Sequence, residues 1–345
     1  MEKLKMALIG AGNISQTEHV PVYQQRNDVE VVAVADWNID RAKQAAAKLP
    51  GAKAYRTVEE VLSCEHIDAV DICVWNRSHS DVAIAAANAG KHVLCEKPMA
   101  SDITQALLME KAVRDAGVTF MLAVPRRYQT DVRLLAQMVG EGQLGDIYYA
   151  KCAMVRRRGT PVGWFTDSQK SGGGPLLDIG VHCIDNTWYL MGRPRPVRVS
   201  AAVSHAIGDF QTKGVDRWVA LDSDVTAFDT EDSAAGIFHF DNGACMLFEV
   251  SWAMNCKDQM YTQICGSKGG AELGPLTIYT ERNGFLSDDR PKTIDVNRYA
   301  YEIDHFVDCV RTGKKPVSGL EDSLTVQRML AGVYESARQH REVAL

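Results

Sequence analysis

The tripeptide Glu96-Lys97-Pro98 closes an apolar run, Val93-Leu94-Cys95, of strand character. An amine at the C-terminal edge of a strand in an α/β chain stands where such folds bind ligands. Lys97 could there polarise a substrate oxygen. Far along the chain, Gly172-Gly173-Gly174 leads into Pro175-Leu176-Leu177-Asp178-Ile179-Gly180-Val181-His182. If that stretch is helical from Pro175, Asp178 and His182 at i,i+4 share a face, and Asp185 lies on it too. Hydride transfer from an alcohol carbon needs a base for the hydroxyl proton and a donor for the developing alkoxide. Lysine, aspartate and histidine are the residue types for that work.

The first strand, Ala7-Leu8-Ile9, runs directly into Gly10-Ala11-Gly12-Asn13-Ile14-Ser15. The first glycine permits a tight turn and the second lets backbone approach a dinucleotide pyrophosphate. The amides of Asn13 and Ile14, at the start of the following helix, face the phosphate charge. Ser15 stands where the third glycine of such a fingerprint is usual. Asp36 follows Gly12 by 24 positions, near the offset of about 20 expected of a ribose-binding acid. Its carboxylate would accept hydrogen bonds from the ribose hydroxyls and repel a 2′-phosphate, which favours NAD over NADP. Trp37 could stack along the adenine, whereas the guanidinium of Arg41 would offset some of that repulsion. Trp164 and Phe165 either line a sugar pocket or form a core patch. Arg156, Arg157 and Arg158 alternate faces in a strand, so only part of the run can meet a substrate.

The elements that must position these groups follow from the pattern of the chain. Strands are expected at Met6–Ile9, Glu30–Ala35, Ala69–Val74, His92–Cys95 and Thr119–Ala123, with helices at Asp40–Leu49, Asp81–Ala89 and Asp102–Ala116. That alternation predicts a doubly wound parallel sheet. From about Pro125 the pattern changes: a helix at Tyr128–Val139, β-type runs at Ile147–Val155, Val197–Val203, Ala234–Phe240, Cys245–Trp252 and Thr262–Cys265, and closing helices at Ala300–Arg311 and Glu321–Arg338. Asn242-Gly243 marks a hairpin. This second part reads as an α+β domain with a large, mostly antiparallel sheet, one face of which no helix covers.

With 345 residues, 46% hydrophobic and 24% charged, the chain has the length of two globular domains. A net charge of -6 without a basic tail argues against a nucleic-acid surface. The nine cysteines include no Cys-x-x-Cys pair, so neither a zinc ribbon nor a disulfide framework is implied. No metal site is expected: the one histidine or cysteine near His182 is Cys183, which as an adjacent residue points elsewhere, and Asp178, His182 and Asp185 could hold a metal in principle, but Lys97 makes that unnecessary. Reduced thiols and the lack of a signal-peptide or membrane-length apolar run lead to the expectation of a cytoplasmic protein without membrane contact.

Together, Gly10-x-Gly12, Glu96-Lys97-Pro98 and the glycine run before Asp178-x-x-x-His182 resemble those of the glucose-fructose oxidoreductase / inositol dehydrogenase / rhizopine catabolism (Gfo/Idh/MocA) family of NAD(P)-dependent oxidoreductases. The resemblance spans nearly the whole chain. It implies an NAD(P)-binding Rossmann domain over 1–122 and a substrate-binding and oligomerisation domain over 123–345. It further implies that Lys97 touches nicotinamide and substrate, Glu96 sits at the ribose edge, Pro98 follows a cis bond, His182 accepts the proton and Asp178 orients the sugar. Asn76 and His79 would match a cofactor-side loop, with Trp75 where that loop usually has proline. Arg126-Arg127-Tyr128 would border the active site, Arg126 and Tyr128 on the substrate side. The implied activity is oxidation of a secondary hydroxyl on a sugar, cyclitol or other polyol. Alternatives within reach are an NAD-dependent glycoside hydrolase working by transient oxidation, an NADPH-dependent oxo-sugar reductase, and a non-catalytic NAD-binding sensor. Burying the open sheet face predicts a homodimer or homotetramer.

Overall fold

The computed structural model describes residues 2–64, 66–210, 212–221 and 228–345. Its first sheet is built from β1 (Leu4–Ile9), β2 (Val29–Ala35), β3 (Lys53–Tyr55), β4 (Ala69–Ile72), β5 (His92–Glu96) and β6 (Phe120–Ala123). All neighbours pair in parallel, in the order β3-β2-β1-β4-β5-β6. The strands are near-continuous apolar runs because helices cover both faces, leaving little exposed on either side of the pleat. The order reverses between β1 and β4, so the C-terminal ends of those strands splay a crevice open to a ligand. Local signals set the helix ends: Asn38 and Asp102 accept backbone N–H bonds at the starts of the helices Ile39–Ala46 and Ile103–Ala116, and Gly117 closes the latter in a left-handed turn.

The second sheet comprises β7 (Ile147–Val155), β8 (Pro196–Ser204), β9 (Ser233–Phe240), β10 (Cys245–Ser251), β11 (Gln259–Gly266), β12 (Gly270–Leu273), β13 (Thr277–Arg282), β14 (Phe285–Asp289) and β15 (Val343–Ala344). They lie in the order β14-β13-β12-β11-β7-β10-β9-β8-β15. Among the described residues β7 and β10 are the one parallel pair of this sheet; its other pairs are antiparallel, and Asn242-Gly243 turns β9 into β10. The helices Thr130–Gly140, Val181–Leu190 and Leu320–Gln339 pack one face through Leu135, Ile184 and Leu330, against Ala150, Phe238, Phe248 and Ile264. Along the same strands Tyr149, Ile237, Leu247 and Tyr261 alternate with those core residues and point to the uncovered face.

After the second sheet the chain returns to the first domain. Helix Arg298–Thr312 inserts Ile303, Phe306 and Val307 into one core beside the parallel sheet, and Leu320 and Leu324 enter the other. The packing of the first domain therefore draws on residues far beyond 122. No helix among the described residues is long and apolar enough to cross a membrane.

Candidate active site

One cavity of about 850 Å³ runs from the glycine turn after β1 across to the second domain. Its walls include Gly12, Asn13, Ile14, Asp36, Trp37 and Arg41 at one end and Lys97, Arg126, Asp178 and His182 at the other. Lys97 and His182 thus open onto the same space, from different domains.

At the first end, Gly10 has φ 100° and a Cβ there would lie 2.4 Å from the Cys73 carbonyl oxygen, so the turn can cross the end of β4 only as glycine. Gly12 differs: a Cβ on it would meet nothing within 4 Å, and it borders the cavity. That open cradle beside the amides of Asn13 and Ile14 fits a dinucleotide pyrophosphate. Ser15 is fully buried, packing where a third glycine would. The Asp36 carboxylate accepts the Ala11 N–H at 2.9 Å and the Asn38 N–H at 2.8 Å, so it braces the turn from behind. Arg41 pairs with Asp36 at 3.2 Å and lies 4.9 Å over the Trp37 ring, which is 6.2 Å from Trp75. Asn13 donates to the Val219 carbonyl. Asn76 reaches across the cleft to donate to the Ser171 carbonyl at 2.8 Å, tying the two domains together.

At the other end, the Lys97 ammonium donates to the Asp178 carbonyl at 2.8 Å and to its carboxylate at 3.2 Å. The second Asp178 oxygen accepts the Trp252 indole N–H at 3.0 Å. The Lys97-Pro98 bond is cis. Behind the lysine, buried Glu96 accepts the Lys97 backbone N–H and lies 3.2 Å from His19. His19 in turn lies 2.7 Å from Asp71, which also accepts the Tyr23 hydroxyl. Burial alone would depress His19, but adjacent Asp71 outweighs it and holds the imidazole well above its ordinary value. As an imidazolium it can donate to both carboxylates at once.

The segment bearing Asp178 and His182 is held at its root. A Cβ on Gly174 would fall 2.1 Å from the Glu231 carbonyl oxygen, and the buried Glu231 carboxylate accepts the N–H groups of Gly174 and Leu176 and the Tyr334 hydroxyl. From there Leu176–Gly180 winds as a π-turn before the α-helix Val181–Leu190. Wide turns of this kind recur at functional sites because they re-aim side chains that an α-helix would stack. Asp178 and His182 face the cavity. Burial, then the charges of Lys97, Arg126, Arg298 and Arg156, push His182 well below the ordinary value, and its buried Nδ1 has no hydrogen-bond partner among the described residues. It is a neutral imidazole available to take a proton.

The structure redirects several expectations. Tyr128 is buried against Met121 and His305 in the first domain, not on the substrate wall, because the 3-10 turn Pro125–Tyr128 aims only Arg126 outward. Arg127 pairs instead with Asp185 at 2.6 Å and Asp322 at 2.7 Å, which removes Asp185 from the face shared by Asp178 and His182. His79 borders the cavity, but its ring nitrogens lie 2.7 and 3.1 Å from the Pro98 and Val74 carbonyls, so its polar atoms support the loop. Glu96 likewise turns much of its hydrogen bonding inward. Trp164 lines the cavity and stacks on Phe165 at 3.9 Å, with Trp218 edge-on to the latter. Of the triple arginine run, Arg156 alone lines the cavity. Sequence reasoning missed Trp218, Trp252, Glu231, His19, Arg298 and Tyr299. Only the fold brings Trp218, Arg298 and Tyr299 to the cavity and sets Trp252, Glu231 and His19 behind the residues that line it, and no local spacing links them to Lys97.

Residues 4–124 match the Gfo/Idh/MocA family model described as the oxidoreductase family's NAD-binding Rossmann fold, and 136–345 match its C-terminal alpha/beta domain. The D-glucoside 3-dehydrogenase of Escherichia coli is 34% identical over 348 residues, covering 99% of this chain and 97% of its own. The trans-1,2-dihydrobenzene-1,2-diol dehydrogenase of Mus musculus is 28% identical over 321 residues, 90% of this chain and 88% of its own. The crystal structure of aldose-aldose oxidoreductase from Caulobacter crescentus, complexed with glycerol, superposes over 100% of both chains with a TM-score of 0.82 and 25% identity.

Proposed function

Because the chain belongs to the Gfo/Idh/MocA family of oxidoreductases, we propose that it oxidises a secondary hydroxyl of a sugar, cyclitol or related polyol. It is an NAD(P)-dependent dehydrogenase acting on CH–OH groups. The observation that carries the substrate chemistry is the opening of an ammonium, Lys97, and a neutral imidazole, His182, onto one cavity from opposite domains. When bound, the nicotinamide ring supplies the hydride acceptor. The Gly12 cradle with the amides of Asn13 and Ile14 would hold its pyrophosphate, and Asp36 its adenosine ribose.

The protein's own part is to position and to move a proton. Asp178, fixed by Trp252, orients the Lys97 ammonium. That ammonium donates a hydrogen bond to the reacting hydroxyl oxygen and stabilises the alkoxide character that develops as the proton leaves for His182, before departure of hydride from carbon turns it into the carbonyl. His182 accepts the hydroxyl proton, a general-base contribution of about 10²–10⁴-fold. The aromatic wall of Trp164 and Phe165 would pack a sugar's apolar face and exclude water.

NAD is preferred to NADP, since the Asp36 carboxylate would meet the adenosine ribose and repel a 2′-phosphate, and Arg41, which could offset that repulsion, is already engaged with it. The uncovered face of the second sheet, with Tyr149, Ile237, Leu247 and Tyr261, is buried in a homodimer or homotetramer.

The test is a screen of hexoses, glycosides and inositols with NAD and NADP in parallel, followed at the NADH absorbance band. Lys97→Met should lower turnover about 100-fold or more while NADH binding, read by fluorescence, persists. Undiminished turnover in that variant rejects the assignment, and a higher kcat/KM with NADP rejects the cofactor preference.

A further inference from the structure

We propose that the second-domain end of the cavity is an oxyanion subsite, where Arg126, Arg156 and Arg298 hold a carboxylate or phosphate carried by the substrate. This rests on the dehydrogenase reading of the same cavity and narrows its substrate to an acidic polyol.

Three separate elements deliver these guanidiniums to one wall: the turn before helix Thr130–Gly140, the end of β7, and the start of helix Arg298–Thr312. Among the described residues none of the three makes an ion pair. Arg126 approaches only the Met260 sulfur, at 3.6 Å. Arg156 donates to the Gly159 carbonyl at 3.3 Å. Arg298 lies 5.2 Å over the Tyr299 ring. Most other partly or fully buried arginines have carboxylates: Arg26 has Asp28, Arg41 has Asp36, Arg217 has Asp209, and Arg127 has Asp185 and Asp322; Arg158, outside the cavity, instead donates to the Arg157 carbonyl and the Asn255 side chain. All three cavity arginines are partly withdrawn from water.

The acids lining the same cavity offer nothing in return. Asp36 is paired with Arg41 at the far end, Glu96 faces His19, and Asp178 is paired with Lys97. The Lys97–Asp178 pair is matched, which leaves three guanidiniums near His182 with no carboxylate in ion-pair contact. Arg126 is lowered by burial and by Arg298, with Cys183 and Asp131 acting the other way, and His182 is lowered by burial, then by Lys97 and the three arginines. An oxidised nicotinamide ring would add a further positive charge beside them. Withdrawing unpaired charge from water is unfavourable. Guanidiniums present forked donors matched to the oxygens of carboxylate and phosphate. A neutral sugar could accept hydrogen bonds here but would leave the charge uncompensated. The cofactor pyrophosphate does not answer for it, since the amides after Gly12 serve that group at the opposite end.

The experiment uses the NADH-loaded enzyme and reads binding by isothermal titration, independently of turnover. Glucose, glucuronate and glucose 6-phosphate form one set of probes; myo-inositol and its monophosphate form a second. At least one acidic member should bind about 100-fold tighter than its neutral parent, and the ratio should shrink at least tenfold in Arg156→Met and in Arg298→Met. Unchanged NADH affinity in those variants certifies their fold. The carboxylate and phosphate arms distinguish the two sources of the anion. Acidic members binding no better than their parents overturn the subsite, as does a preference that survives both substitutions. Selective acid binding with no hydride transfer from any probe when the same set is assayed with NAD or NADP would sink the dehydrogenase reading and leave the subsite standing. Turnover of the neutral parents with no acid preference would do the reverse.

Discussion

His182 shows how much a single side chain owes to its surroundings. Its sequence context, a histidine four residues after an aspartate, says nothing of its protonation. In the structure, burial and the surrounding cations hold it well below 6.5. The sign follows directly. With His182 as the proposed base, alcohol oxidation needs the unprotonated imidazole, so activity should be lost as pH falls through a folded value lower than 6.5. The kcat/KM profile for oxidation should therefore stay flat down to about pH 6.5 and bend below it. Removing one cation with Arg126→Gln should move that bend upward. A pH–rate series on both proteins checks this, and a wild-type limb centred above the ordinary histidine value contradicts it. The same depression carries a stability consequence. A folded value below the unfolded one means that protonation costs the native state progressively as pH drops below 6.5.

At the scale of elements, Arg127 is the clearest case of a charge used to join parts. Its guanidinium is fully buried and links the turn Pro125–Tyr128 to Asp185 on helix Val181–Leu190 and to Asp322 on helix Leu320–Gln339. Arg127→Met leaves Asp185 buried and uncompensated, for which a loss of about 3–5 kcal/mol is expected. Urea denaturation measures it. Adding Asp185→Leu to that variant should recover part of the loss; a single substitution costing under about 1 kcal/mol would show that the pair is solvated after all. The sequence distinguished the adjacent arginines Arg126 and Arg127 poorly, because a 3-10 turn sends consecutive side chains in directions that neither helical nor strand spacing predicts. Long apolar strands and capped helices were legible for the opposite reason. β1, β2, β5 and β7 begin or end within two residues of the predicted runs. The strands β3, β12, β13, β14 and β15 were not anticipated. β14 and most of β13 keep their side chains in water, so no apolar alternation marks them.

For the molecule as a whole, the nine-stranded sheet has helices on one face only among the described residues. The other face carries half-buried Tyr149, Ile237, Leu247 and Tyr261 interleaved with Lys151 and Glu249. A surface of that size and mixed character suits a two-fold self-association. Light scattering of the eluted protein should report twice or four times 38.0 kDa. A monomer would remove the oligomer proposal, and a charge placed by Leu247→Asp should drive the assembly toward one. The cleft itself belongs to this scale. Asn76 bonded to Ser171, and Lys97 bonded to Asp178, cross it between domains.

The sequence by itself determined the alternating strand–helix order, the glycine turn, the acid that ends the second strand and the lysine and histidine of the two motifs. Those are local facts, written in periodicity and in residues whose backbone or chemistry has few substitutes. The tertiary structure alone decided which side chains share a cavity, which arginine is buried in an ion pair, and which way His182 is biased. These depend on contacts between residues tens to hundreds of positions apart, and on a dielectric environment that exists only once the two domains have closed over the same space.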